Sequence, residues 1–144
     1  MSSRRRSRQR ALQILFLWDA RRQPVEEVLS AYYNTLHAEE SVSGPEGDRF
    51  AAQLVRGTVE HLPEVDEQIS RHAEHWRLER MPAVDRNVLR LAVYEMMCAD
   101  TPAAVAIDEA LELARKFSGE ESVQFVNGVL DAVHRELASD SRPN

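Results

Sequence analysis

Apolar residues recur at helical spacing almost from one end of the chain to the other, and no strand-like alternation competes with them. Ala11, Leu12, Leu15, Phe16 and Trp18 form the first stripe, just after a run of arginines. Pro24 suits the first turn of a second helix with Val25, Val28, Leu29, Tyr32 and Leu36 on one face. Residues 40–47 are loop-like, and Asp48 is placed to cap a third helix carrying Phe50, Leu54, Val55, Val59 and Leu62. Pro63 interrupts the ladder and marks the next boundary. A fourth helix follows with Val65, Ile69, Ala73 and Trp76. Pro82 opens a fifth, with Val84, Val88, Leu89, Ala92 and Met96. Thr101 and Pro102 have the character of cap and first helical residue for a sixth, through Ile107, Leu111, Ala114 and Phe117. Gly119 suits its C-terminal cap, and a seventh helix starts at Glu121 or Ser122 and runs through Val126, Val129, Leu130, Val133 and Leu137. The expectation is an all-α fold of seven helices, orthogonal or bundled, with a seam near Leu62–Pro63 and a disordered tail at 140–144.

Composition narrows the class. A chain of 144 residues with 43% apolar and 29% charged positions can bury a core without staples. Its apolar runs are far shorter than the ~20 residues of a membrane helix, and the basic N-terminus lacks the apolar core of a signal peptide. Cys98 is the single cysteine, which excludes an internal disulfide, a CxxC pair and a Cys-rich zinc site. These features point to a cytoplasmic protein. The formal charge of −6 is unevenly placed: residues 1–22 hold seven arginines against Asp19 alone, a net of +6, and the remainder carries −12. A basic arm on an acidic body points to a polyanionic partner at one end. Seventeen of the eighteen cations are arginine, the side chain better suited to phosphate forks and base stacking.

No phosphate-binding Gly loop, GxSxG turn or HExxH motif is present, so neither catalysis nor a cofactor is expected. His72 and His75 lie three apart on the expected fourth helix, but without a third ligand nearby solvent-facing histidines are the simpler reading. No metal site is assigned. The acidic pairs Glu26–Glu27, Glu39–Glu40 and Glu120–Glu121 have no partner set at di-iron spacing and suit a solvated surface. Cys98, after Met96 and Met97, suits a buried inert thiol. Two positive signals remain. Arg4, Arg5, Arg6, Arg8 and Arg10 bracket a helix start, where such a cluster can neutralise phosphates of a single strand and stack on bases. A basic tail without a partner and a membrane-surface contact are the alternatives, and Phe16 and Trp18 beside it suit stacking or core equally. The second signal is the segment from Phe117 to Asp131. There Gly128 inside a helix costs roughly 1 kcal/mol relative to Ala, which close packing of another backbone would explain. Asn127 suits a helix-packing hydrogen bonder, and Phe125 suits either core or base stacking.

These residues together resemble one family, the bacterial transcription antitermination factors of the NusB type. The resemblance is carried by Arg4-Arg-Arg-Ser-Arg8, Ala11-Leu-Gln13, Leu15-Phe16 with Trp18, Arg56-Gly57, and the run from Leu78 through Asp85-Arg86-Asn87-Val-Leu-Arg90-Leu91. Tyr94-Glu95, Ala106-Ile-Asp-Glu-Ala110, Glu112-Leu-Ala114 and above all Phe125-Val-Asn-Gly-Val-Leu-Asp131 complete it, over nearly the whole chain. The resemblance implies a NusB-like domain over 1–139, made of two packed helical subdomains, 1–62 with the arginine arm and 63–139. It implies binding of single-stranded boxA RNA in nascent ribosomal-RNA transcripts together with a small-subunit ribosomal protein, NusE. It further implies a place beside RNA polymerase with NusA and NusG. By position it assigns RNA contact to Arg4, Arg5, Arg6, Arg8, Gln13, Gln124 and Phe125, and NusE contact to Phe16, Glu79 and Asp85. Phe16 stands where many relatives have Tyr, which puts a hydrogen bond there in question. Two other readings stand beside it. A NusB-like domain also precedes the catalytic domain of some ribosomal-RNA cytosine methyltransferases, for which a chain ending at Asn144 is expected to be too short. A protein–protein adaptor without RNA binding would suit the acidic body.

Overall fold

The computed structural model describes residues 4–35 and 48–140. Among them the chain forms seven α-helices and no strand: α1 (Arg4–Arg21), α2 (Val25–Thr35), α3 (Arg49–Glu60), α4 (Leu62–His72), α5 (Ala83–Cys98), α6 (Ala103–Phe117) and α7 (Glu120–Asp140). A 3-10 turn at Leu78–Arg80 lies between α4 and α5. The chain divides into two compact units, Met1–Glu60 and His61–Asn144.

In the first unit α1 packs against α2 and α3. Ala11, Ile14, Leu15, Val28, Leu29, Ala51 and Val55 are completely buried, as their helical spacing requires. Asp48 starts α3 by accepting the Ala51 N–H at 3.0 Å, an N-cap that satisfies one of the helix's orphan donors. Its carboxylate also takes the Ser7 hydroxyl at 2.9 and 3.0 Å and the Arg10 guanidinium at 2.7 Å, so it fastens the basic turn of α1 to α3. Burial works against the charge on Asp48. The Ala51 amide, Arg10 and Ser7 outweigh that and hold its pKa below the usual carboxylate value.

In the second unit α5, α6 and α7 pack on one another, with α4 against α5 and α7. Val65, Ile69, Val88, Leu89, Ala114, Val126, Leu130 and Val133 fill its core. Arg90 is buried in this unit and reaches both carboxylate oxygens of Asp66, at 2.9 and 3.0 Å, plus the Asn87 side-chain oxygen at 3.2 Å. Buried Glu95 accepts the Thr101 hydroxyl at 2.9 Å.

Several sequence expectations are corrected. Helix α4 stops at His72, with the Ala73 N–H bonded to Ile69 O, so His75 and Trp76 leave the helix and the i, i+3 histidine pair is not formed as such. Pro102 is the N-cap of α6 rather than its first residue, because its backbone is extended (ψ 140°). Helix α7 begins at Glu120 and reaches Asp140, since no Pro occurs before Pro143 and no Gly after Gly128. The start of the expected tail at residue 140 is therefore helical. Cys98 is exposed at the end of α5 rather than buried, although partial desolvation and then Glu64 still push its thiol pKa up. Gly119 takes the C-terminal position after α6 with φ 154°, its N–H bonded to Ala114 O at 2.9 Å. Leu36, Glu39, Glu40, the loop at 40–47 and residues 141–144 lie outside the described residues.

Candidate functional site

In the first unit, the first described turn of α1 presents Arg4, Arg5 and Arg6 at the surface and holds no carboxylate. Cations at a helix N-terminus oppose the macrodipole. Three of them there concentrate positive potential at a point suited to an anion. The side chains are partly organised. The Arg4 and Arg8 guanidinium carbons lie 4.3 and 5.3 Å from the centre of the Phe50 ring on α3. Arg8 departs from the expected phosphate contact. It is only 4% exposed, and its aliphatic stem and stacked head belong to the fold. Arg10 departs further, since its guanidinium is spent on Asp48. Helical geometry is the cause: positions 7, 8 and 10 face inward, while 4, 5 and 6 precede the first buried turn.

Gln13 is exposed on α1, and its side-chain oxygen accepts the Tyr32 hydroxyl at 2.6 Å, which orients the amide. Phe16 is 40% exposed, a large apolar ring that the unit leaves in solvent. Trp18, in contrast, is core, with the Arg22 guanidinium over its ring.

In the second unit, Asp85 is 5% exposed rather than a surface charge. It accepts the Ser118 hydroxyl at 3.0 Å and the Ser122 hydroxyl at 2.9 Å on both oxygens, tying the start of α5 to the α6–α7 junction. Arg86 next to it donates to the carbonyls of Leu78 and Met81 at 3.1 and 3.0 Å, fixing the 3-10 turn. The segment Asp85–Arg90 therefore acts mainly as a scaffold. It holds Glu79, on that turn, exposed to solvent.

Gln124 is exposed and Phe125 half-buried near the start of α7. Phe125 meets Trp76 edge-to-face, with ring centres 6.5 Å apart. Trp76 is 53% exposed. It went unrecognised because its spacing after Val65, Ile69 and Ala73 extends the core stripe, and the sequence carries no breaker before Pro82. The two rings form a ridge between two open cavities. One, about 250 Å³, reaches Pro82, Asp85 and Glu121. The other, about 310 Å³, reaches His75, Gln124 and Gly128. Gly128 does not mark close packing: a Cβ built there meets nothing within 4 Å. Asn127 is likewise exposed and not a core hydrogen bonder. Gln124, Asn127, Gly128 and Asp131 share an exposed face at i, i+3, i+4, i+7, opposite Val126, Leu130 and Val133. That period was a readable signal.

Among the described residues no cluster of His, Cys, Asp and Glu could hold a metal ion, and no helix is long and apolar enough to cross a membrane.

Comparison with known proteins bears on this arrangement. The NusB family model matches residues 5–135. The transcription antitermination protein NusB of Solibacter usitatus is 71% identical over 143 residues, covering 99% of this chain and 96% of that protein. The same protein of Koribacter versatilis is 46% identical over 141 residues, covering 97% and 94%. Among solved structures, NusB of T. maritima matches with a TM-score of 0.81 at 37% identity, covering 94% of this chain and 92% of that one. A crystal structure of the antitermination factors NusB and NusE in complex with double-stranded RNA matches with a TM-score of 0.78 at 28% identity, covering 92% and 96%.

Proposed function

Because this chain belongs to the NusB family, we propose that it is a non-enzymatic transcription antitermination factor. It binds single-stranded boxA-type RNA in nascent ribosomal-RNA transcripts, together with the small-subunit ribosomal protein NusE. The heterodimer works in the cytoplasm on RNA polymerase with NusA and NusG. The observation that carries the RNA reading is the exposed Arg4–Arg6 turn at the positive end of α1, in an otherwise acidic chain. Arg4, Arg5 and Arg6 contact phosphates. Arg8 supports them by holding Phe50, and Gln13, Gln124 and Phe125 contact bases or sugars. Phe16 and Glu79 face NusE, and Asp85 acts by positioning the turn and the α7 start rather than by charge at the surface.

The acidic body fits a basic protein partner. Complementary charge steers such encounters, so association with NusE slows as salt rises. The test is RNA binding by the chain alone and with NusE. Tight binding to boxA-type RNA that NusE strengthens supports the reading. An absence of binding under both conditions refutes it and leaves the adaptor role.

A further inference from the structure

Resting on the RNA reading above, we propose that the cleft between Trp76 and Gly128 receives one unpaired RNA base, stacked on Trp76. Three observations converge on it. First, Trp76 leaves half its surface in water, beside a second ring, Phe125, that holds it in place edge-on. A half-exposed indole beside a second ring is the kind of platform base stacking uses, and stacking tolerates any base. Second, Gly128 sits within α7 at the cost of a glycine in a helix, yet a Cβ there would meet nothing within 4 Å beyond its own stretch of helix. Internal packing therefore does not explain the missing side chain. An open helix flank that lets a flat ligand lie against the backbone does. Third, the cleft's polar groups suit a neutral base rather than a phosphate or a cation. Gln124 and His75 bring both donors and acceptors, Glu74 brings an acceptor, and no Lys or Arg lines it. Across the ridge, the exposed Glu121 would repel a phosphate and suit a cationic side chain instead. The two sides of the Trp76–Phe125 ridge are thus chemically distinct, and the side toward Gly128 is the one shaped for a base.

The test measures binding of a short single-stranded boxA-type RNA by the full chain, alone and with NusE, with melting temperature and tryptophan fluorescence recorded alongside. Trp76→Ala is expected to weaken RNA binding by about tenfold, the scale of one lost stack. It should leave the salt dependence of binding unchanged, because no phosphate contact is removed. Trp76→Phe should keep most of the affinity but abolish the RNA-induced fluorescence quenching expected of wild type. Gly128→Ala should raise the melting temperature and yet weaken RNA binding, two effects of opposite sign that a merely structural glycine would not show. Wild type that binds RNA through Arg4–Arg6, while Trp76→Ala and Gly128→Ala bind like wild type, sinks the cleft and spares the RNA function. Variants that lose NusE but not RNA overturn the proposal in favour of a protein-docking cleft. A wild type that binds no RNA overturns both readings.

Discussion

Replacing Asp48 should unfasten the arginine turn from the fold, and the size of the effect follows from what the carboxylate holds. Asp48 and Arg10 have side chains 3% and 6% exposed, 2.7 Å apart. In Asp48→Ala, buried Arg10 loses the Asp48 carboxylate, a change that typically costs about 3–5 kcal/mol. The α3 N-cap is also lost, at about 1 kcal/mol. These losses overlap, so about 4 kcal/mol is expected, a large share of the roughly 5–15 kcal/mol by which a domain is stable. Asp48→Asn keeps a competent cap and loses only the charge, and should fall roughly 1 kcal/mol short of the Ala variant. The double variant Asp48→Ala with Arg10→Met removes both charges and should recover much of the loss, because an apolar replacement of a buried pair is often neutral. pH gives an independent check. The folded pKa of Asp48 is depressed, so its charge contributes stability that is fully present above the unfolded value near 3.9 and lost as pH falls through the folded value. The advantage of wild type over Asp48→Asn should therefore be constant near neutral pH and shrink only in the acid range. Urea unfolding of the set at neutral and acid pH measures all of this. A loss below about 1 kcal/mol for Asp48→Ala, or an advantage that grows as pH falls, would refute the reasoning.

Five further outcomes are expected. Replacing Arg4, Arg5 and Arg6 together with Ala should flatten the log–log salt slope of single-strand RNA binding by about 2, at about 0.7 per phosphate, with the melting temperature nearly unchanged. Arg8→Ala should instead lower the melting temperature through lost packing on Phe50, which a thermal scan of both variants separates. Gly128→Leu, which a buried glycine would not tolerate, should change stability by less than about 1 kcal/mol in chemical denaturation, because the site is open. Glu79→Lys should weaken NusE association without moving the melting temperature. Asp85→Ala should destabilise the fold by about 1–3 kcal/mol, since Ser118 and Ser122 lose their acceptor.

What the sequence determined by itself is the part of the fold governed by short-range periodicity. Helical spacing and the positions of Pro24, Pro63, Pro82 and Pro102 announce the helices, because a helix needs an apolar stripe and a proline breaks its ladder. Asp48 announces a cap because its side chain competes locally for the first free amides, and that contact spans only three residues. The arginine cluster at the start of α1 was equally plain, since charge clustering needs no structure to be counted. Tertiary structure alone decided which of those residues remain available. Arg8 and Arg10 look like Arg4 in the sequence, yet both are buried where α1 packs on α3, Arg10 against Asp48 some forty residues away. Asp85 looks like a docking charge until Ser118 and Ser122 are brought to it. Trp76 continues a core stripe on paper, but its helix ends four residues earlier and leaves it in water beside Phe125. Gly128 looks like a packing contact, and only the space around it shows otherwise. The physical reason is common to all four. Exposure is a property of what the rest of the chain brings near a residue, and periodicity carries information about its own helix only.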